Sequence, residues 1–120
     1  MTGAALLAGR AAVLCGAGKT FVHGLAPLAP AVDPAFPELM RRPLDEAPDA
    51  DVYVVGPGAG FDAKRPRISP FERTTLPGLI ARRAALVLDA DALNAIAASD
   101  ALKQALAGSR PGTTVLTPHP

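Results

Sequence analysis

Apolar residues fall along the chain in short blocks separated by glycine, proline and acidic residues. From Thr2 to Cys15, Ala and Leu fill most positions and Arg10 is the one charge, so this stretch predicts a helix apolar on almost every side. Thr2 stands where an N-cap is expected and Gly16 where the helix must stop. Such a helix is expected inside a larger protein, and Cys15 at its end reads as core. Thr20 to His23 predicts a short strand. From Leu25 to about Pro48, the prolines at Pro27, Pro30, Pro34, Pro37 and Pro43 exclude a regular helix, and the stretch reads as loop or short turns.

The second half alternates more regularly. Asp51 to Val55 predicts a buried strand, β-branched and aromatic, that ends sharply at Gly56-Pro57-Gly58-Ala59-Gly60. Glu72 to Ala85 has helical character, with a start near Pro77 at the first turn. Leu86 to Leu88 predicts a second strand, ending at Asp89. Asp91 to Ala107 predicts a helix with Leu93, Ile96, Ala97, Leu102 and Leu106 on one side, stopped by Gly108. Thr113 to Leu116 predicts a third strand. Non-alternating strands separated by helices imply an α/β fold whose mainly parallel sheet is covered on both faces, with right-handed crossovers. No internal repeat is present.

Composition narrows this picture. A length of 120 residues suits one small domain, and 49% hydrophobic with 4% aromatic residues means a core of Ala, Leu and Val. A net charge of +1 offers no basic surplus for nucleic acid or an anionic membrane. Lys64, Arg65 and Arg67, interrupted by Pro66, read as a solvated loop. The one cysteine excludes an internal disulfide and fits a reducing compartment. No Lys or Arg precedes the apolar run from Ala4 to Leu14, and Leu14 is a poor neighbour for a lipoprotein cysteine, so no leader is expected. No apolar run has the length of a membrane span. The expectation is a soluble cytoplasmic protein.

Polar groups gather just after the strands, where ligands bind in open α/β sheets. Gly56 to Gly60 would let backbone N–H groups approach a ligand, or would serve only as a turn. Asp89 could hold a ribose hydroxyl, a metal-bound water or the next helix N-terminus, while Asp91 reads rather as an N-cap. Asn94 lies one turn into the helix, able to face the same cleft. His119, after Pro118, is open to a binding or a structural role, and His23 reads as structural. Gly16-Ala17-Gly18-Lys19-Thr20 ends like a phosphate-binding P-loop. Val13 stands where that motif needs glycine, and the order of helix then strand is the reverse of its context.

Taken in order, Met1 to Ala8, Pro37-Glu38-Leu39-Met40, Gly56 to Gly60, Leu88-Asp89-Ala90-Asp91-Ala92-Leu93-Asn94 and Leu116-Thr117-Pro118-His119-Pro120 resemble the ADP- or ATP-dependent NAD(P)H-hydrate dehydratases of the ribokinase-like superfamily. The resemblance covers nearly the whole chain; Ala59 replaces a more usual Leu. It implies a partial ribokinase-like three-layer fold, with residues 1–120 as the N-terminal to middle part of a carbohydrate-kinase-like domain. It implies a lyase acting on hydrated NADH or NADPH (NADHX, NADPHX), with ADP or ATP as phosphoryl donor and Mg2+. Ala4, Gly58, Gly60, Asp89, Asn94 and His119 would contact or shape the substrate site, with the helix start at Thr2-Gly3 against it. The family's Gly-Thr-Gly-Asp segment, which supplies the anion hole and the base, has no counterpart here, and the family's upstream Gly-rich stretch is also lacking. No catalytic residue is therefore assigned, and the resemblance implies an incomplete domain, inactive alone. A homo-oligomer and an epimerase domain fused upstream accord with it. The competing readings are a hydroxyethylthiazole or pyridoxine kinase fragment and a non-catalytic nucleotide-binding remnant.

Overall fold

In a computed structural model the chain is described over residues 2–25, 32–44, 48–64, 68–82, 84–109 and 113–119. It divides into two units, Met1–Asp49 and Ala50–Pro120.

The first unit begins with α1 (Thr2–Leu14). Gly16, at φ 94°, ends it as the sequence predicts. The Gly16 N–H donates to the Val13 carbonyl and the Ala17 N–H to the Ala12 carbonyl, both at 3.0 Å, which satisfies two carbonyls of the last turn. Cys15 is exposed rather than core, because it sits where the chain turns away from the helix. Within α1 Gly9 is buried, while Leu7 and Leu14 are exposed, so the expectation of an all-round buried helix is not met. One side of α1 packs on β1 (Phe21–Gly24), and Gly9 makes the approach close. A Cβ there would lie 2.6 Å from Val22 Cγ2 and 2.9 Å from Leu39 Cδ1.

Strand β1 pairs in parallel with β2 (Met40–Pro43), from Phe21 opposite Met40 to Gly24 opposite Pro43. β2 lies inside the stretch expected to be loop. Closely spaced prolines forbid a helix there but not a strand, and Pro43 comes last, where its missing N–H harms the ladder least. The segment Gly16–Thr20 runs between α1 and β1, which removes the P-loop context.

The second unit holds a three-stranded parallel sheet of β3 (Val52–Val55), β4 (Ala85–Asp89) and β5 (Thr114–Thr117), in the order β3-β4-β5. Val55 pairs with Leu88 and Leu88 with Leu116. Between β3 and β4, a π-helical turn (Phe71–Thr75) runs into α2 (Leu76–Ile80). This helical segment starts earlier and ends earlier than the sequence suggests. Ser69 and Glu72 form a capping box that sets the early start: the Ser69 N–H donates to Glu72 Oε2 at 3.0 Å, and the Glu72 N–H donates to Ser69 Oγ at 3.3 Å. Pro77 then sits in the first turn of α2, and the wider turn before it makes room for a ring that would clash with the carbonyl four residues back.

The single helix expected over Asp91–Ala107 is instead two, α3 (Ala90–Ala97) and α4 (Asp100–Ala107). Ser99 breaks it by capping α4, its hydroxyl oxygen accepting the Leu102 N–H. Val55, Leu86 and Leu88 meet Leu76, Ala92 and Ile96 in one apolar cluster, with Leu76, Leu88 and Ala92 fully buried.

Strands taken in sequence order with crossovers of one hand place their helices on one face. That explains why Val52, Val54 and Val115, on the other face, are each more than half exposed, against the expectation of a sheet covered on both sides. The mixed α/β architecture with parallel sheets is compatible with the expected partial ribokinase-like fold. Arg65–Arg67, part of the basic loop, lie outside the described residues.

Candidate functional site

Because β3, β4 and β5 are parallel, their carboxyl ends share one rim, and the register sets Gly56 beside Asp89 and Asp89 beside Thr117. Gly56 leaves β3 at φ 116°, a conformation only glycine adopts easily. A Cβ on it would come 2.8 Å from Ala92 N and would collide with the Asp89 carbonyl, so the glycine loop lies backbone to backbone against the start of α3. Pro57 and Gly58 follow at the centre of a turn closed by the Ala59 N–H donating to the Gly56 carbonyl at 3.0 Å. Proline then glycine at positive φ (72° at Gly58) is the pattern of a type II turn. Gly60, also at positive φ, donates its N–H to Asp91 Oδ2 at 2.6 Å.

Asp89 is the N-cap of α3 by position, yet its side chain makes no capping hydrogen bond. The carboxylate turns instead to β5, where the Thr117 hydroxyl donates to Asp89 Oδ1 at 2.9 Å. That hydroxyl also lies 3.3 Å from the Leu88 carbonyl, but it has one proton, and the shorter, charge-assisted partner is favoured. Asp91, expected as the cap, sits in the first turn of α3 and reaches the glycine loop. Between the two aspartates, Ala90 takes φ 43°, the one positive φ at a non-glycine among the described residues. Strain of this kind costs about 1–3 kcal/mol and persists where surrounding structure enforces it, often at functional sites.

The structure thus brings Gly58, Gly60 and Asp89 to one rim, and His119 follows two residues after Thr117, exposed. Asn94 is exposed on α3 and, three residues after Asp91, shares its side of the helix. Ala4 is half-buried on α1, in the first unit. Thr117 and Asp91 acquire roles that the residue pattern did not assign; the Asp-Ala-Asp spacing alone cannot show that the two carboxylates face different partners. A cavity of about 340 Å³ opens elsewhere, at the amino ends of the strands, between Pro77, Ile80, Arg82, Leu86, Ser109 and Thr114. The glycine loop, Asp89 and His119 take no part in it.

In the first unit, the Arg10 guanidinium clasps Asp33 with Nε 3.0 Å from Oδ2 and Nη2 2.9 Å from Oδ1, and it lies over the Phe36 ring. These hydrogen bonds hold the Asp33 carboxyl below its usual pKa, against the opposing effect of burial and with help from the Ala35 N–H. His23 Nδ1 lies 3.2 and 3.0 Å from the Arg42 and Pro43 carbonyls, in keeping with a structural role.

Residues 1–120 match the family model described as NAD(P)H-hydrate dehydratase. The chain is also 34% identical over 118 residues to the bifunctional NAD(P)H-hydrate repair enzyme Nnr of Corynebacterium glutamicum. The alignment covers 98% of this chain and spans 19% of the length of that curated relative. No solved structure matches the chain.

Proposed function

The chain belongs to the NAD(P)H-hydrate dehydratase family, and from that premise we propose that its strand-end rim is part of the site for hydrated NADH or NADPH. The observation that carries this reading is the meeting of the glycine loop, Asp89 and Thr117 along the carboxyl ends of β3, β4 and β5. Ligands of open α/β sheets lie in this position. Gly58 and Gly60 bring backbone close to the dinucleotide without a Cβ in the way. Asp89, held by Thr117, has a second oxygen to accept a hydroxyl proton from the substrate. His119 and Asn94 flank the same rim and offer hydrogen-bond donors.

The reaction proposed is that of a hydro-lyase working in the cytoplasm. ADP or ATP phosphorylates the hydroxyl on the hydrated nicotinamide ring and leaves as AMP or ADP. Phosphate then departs with the C–O bonding electrons, a proton is lost from the adjacent ring carbon, and the ring double bond returns. Phosphorylation turns a poor leaving group into a good one. Mg2+ accompanies phosphoryl transfer generally. Among the described residues no group of three or more His, Cys, Asp or Glu side chains is placed to hold a metal ion, and no ligand for it is assigned. No helix among the described residues is long and apolar enough to cross a membrane. The bifunctional name of the relative supports an epimerase module working beside this one.

The test is differential scanning fluorimetry of the chain with NADHX and NADPHX, against hydroxyethylthiazole and pyridoxine. A ligand that binds only the folded state raises the melting temperature by mass action. The hydrates are expected to raise it and the two small alcohols to leave it unchanged. Stabilisation by the alcohols alone would contradict the dehydratase reading.

A further inference from the structure

We infer that Asp91 is a positioning residue for the glycine loop, setting how residues 56–60 present their backbone without itself touching substrate. The inference rests on the substrate reading above for its functional consequence, but the structural tie stands apart from it.

Three glycines of the loop, Gly56, Gly58 and Gly60, take positive φ values of 116°, 72° and 82°. A loop with that many glycines is permissive by itself and loses much conformational entropy when fixed. Two contacts with the start of α3 help to hold it. At its start, Gly56 abuts Asp89 and Ala92 so closely that a Cβ has no room. At its end, the Gly60 N–H donates to Asp91 Oδ2 at 2.6 Å, across 31 residues of chain. The loop is clamped at both ends to the same helix start.

The neighbouring backbone fits this role. Ala90 adopts φ 43° between two aspartates that then face different partners: Asp89 toward Thr117 on β5, Asp91 toward the loop that follows β3. An ordinary helix start would direct a carboxylate to its own first-turn N–H groups. Among the described residues Asp89 makes no such bond. The strained turn therefore links the loop, α3 and the end of β5 into one hydrogen-bonded edge, and Asp91 is its connection to the loop.

The test compares Asp91→Ala and Asp91→Asn with the unaltered chain, reading amide exchange at Gly60 by NMR and the dissociation constant for NADHX by calorimetry. Circular dichroism checks that each variant is folded. Loss of a hydrogen bond to a charged group is expected to speed Gly60 exchange and to weaken NADHX binding, each roughly tenfold in Asp91→Ala. Asp91→Asn keeps an acceptor oxygen and is expected to restore most of both. That rescue separates positioning from loss of charge. Unchanged Gly60 exchange in a folded Asp91→Ala would overturn the inference, and so would faster exchange with unaltered affinity. If the unaltered chain bound neither hydrate, the substrate reading would fall, while the exchange comparison would still decide whether Asp91 holds the loop.

Discussion

Arg10 and Asp33 in the first unit direct their hydrogen bonds at each other, whereas Asp89 and Asp91 in the second reach outward to Thr117 and to the glycine loop. Asp33 is almost wholly buried, beneath a guanidinium that also covers Phe36. Asp89 and Asp91 are half-exposed and flank a residue at positive φ. The first arrangement is closed: a salt bridge with both partners occupied holds a segment in place and leaves little for a ligand. The second keeps acceptor capacity at a strand end and maintains a strained backbone. If the strand-end rim is the site, as proposed, a closed buried ion pair such as Arg10–Asp33 is not what marks it. The cavity lined by Pro77, Ile80 and Thr114 lies at the opposite ends of the strands.

Two glycines sharpen the comparison, one in each unit. Gly56→Ala is expected to have the largest effect of any change considered. The added Cβ meets backbone atoms, which cannot swing aside, at a φ that disfavours side chains. Strain and overpacking together should remove about 3 kcal/mol or more of stability, measured by urea denaturation, with the glycine loop displaced. A variant as stable as the parent would show that the loop does not seat on α3.

Acid should act on the first unit through Asp33. Its carboxyl is lowered from an ordinary value of 3.8, so the ionised form contributes stability that is complete above that value. The contribution disappears as pH falls below 3.8 and through the lowered native value. Following Arg10 and Phe36 resonances during acid titration should show a transition in that window, and Asp33→Asn should flatten it. A transition of the same size in that variant would mean that the salt bridge is not its source.

Gly9→Ala should be milder than Gly56→Ala. Its Cβ meets side-chain atoms of Val22 and Leu39 rather than backbone, and alanine favours the helix. These opposed effects leave a net loss of about 1 kcal/mol in the same denaturation experiment. Thr117→Val is expected to be the smallest in stability, about 0.5–1 kcal/mol for one partly exposed hydrogen bond. It should nonetheless weaken NADHX binding by freeing Asp89 to rotate, read by calorimetry.

Much of the second unit was legible in the sequence. Strands that end in Gly56, Asp89 and Thr117 announce a parallel sheet with its polar groups at one rim, because each apolar run stops at a residue that cannot continue it. Gly16 marked the end of α1 for the same reason. Sequence and structure part where one local signal competes with another. Pro43 and its neighbours hid β2, whose pairing partner is distant in the chain. Ser99 was submerged in an Ala-rich helical pattern, although a serine followed by Asp100 is a helix start. Pro77 is a stronger local helix-start signal than the Ser69–Glu72 capping box. The partners of Asp91 and Thr117 depend on contacts 31 and 28 residues apart, which no local pattern encodes. The pairing of Arg10 with Asp33, 23 residues apart, was invisible for the same reason.

The central claim is that the dinucleotide lies along the carboxyl rim of β3, β4 and β5. Backbone amide exchange of the chain, measured with and without NADHX or NADPHX, tests it most directly. The account predicts protection concentrated at residues 56–60, 89–94 and 117–119. Protection confined to residues 77–86 and 105–114, around the cavity at the other ends of the strands, would contradict it.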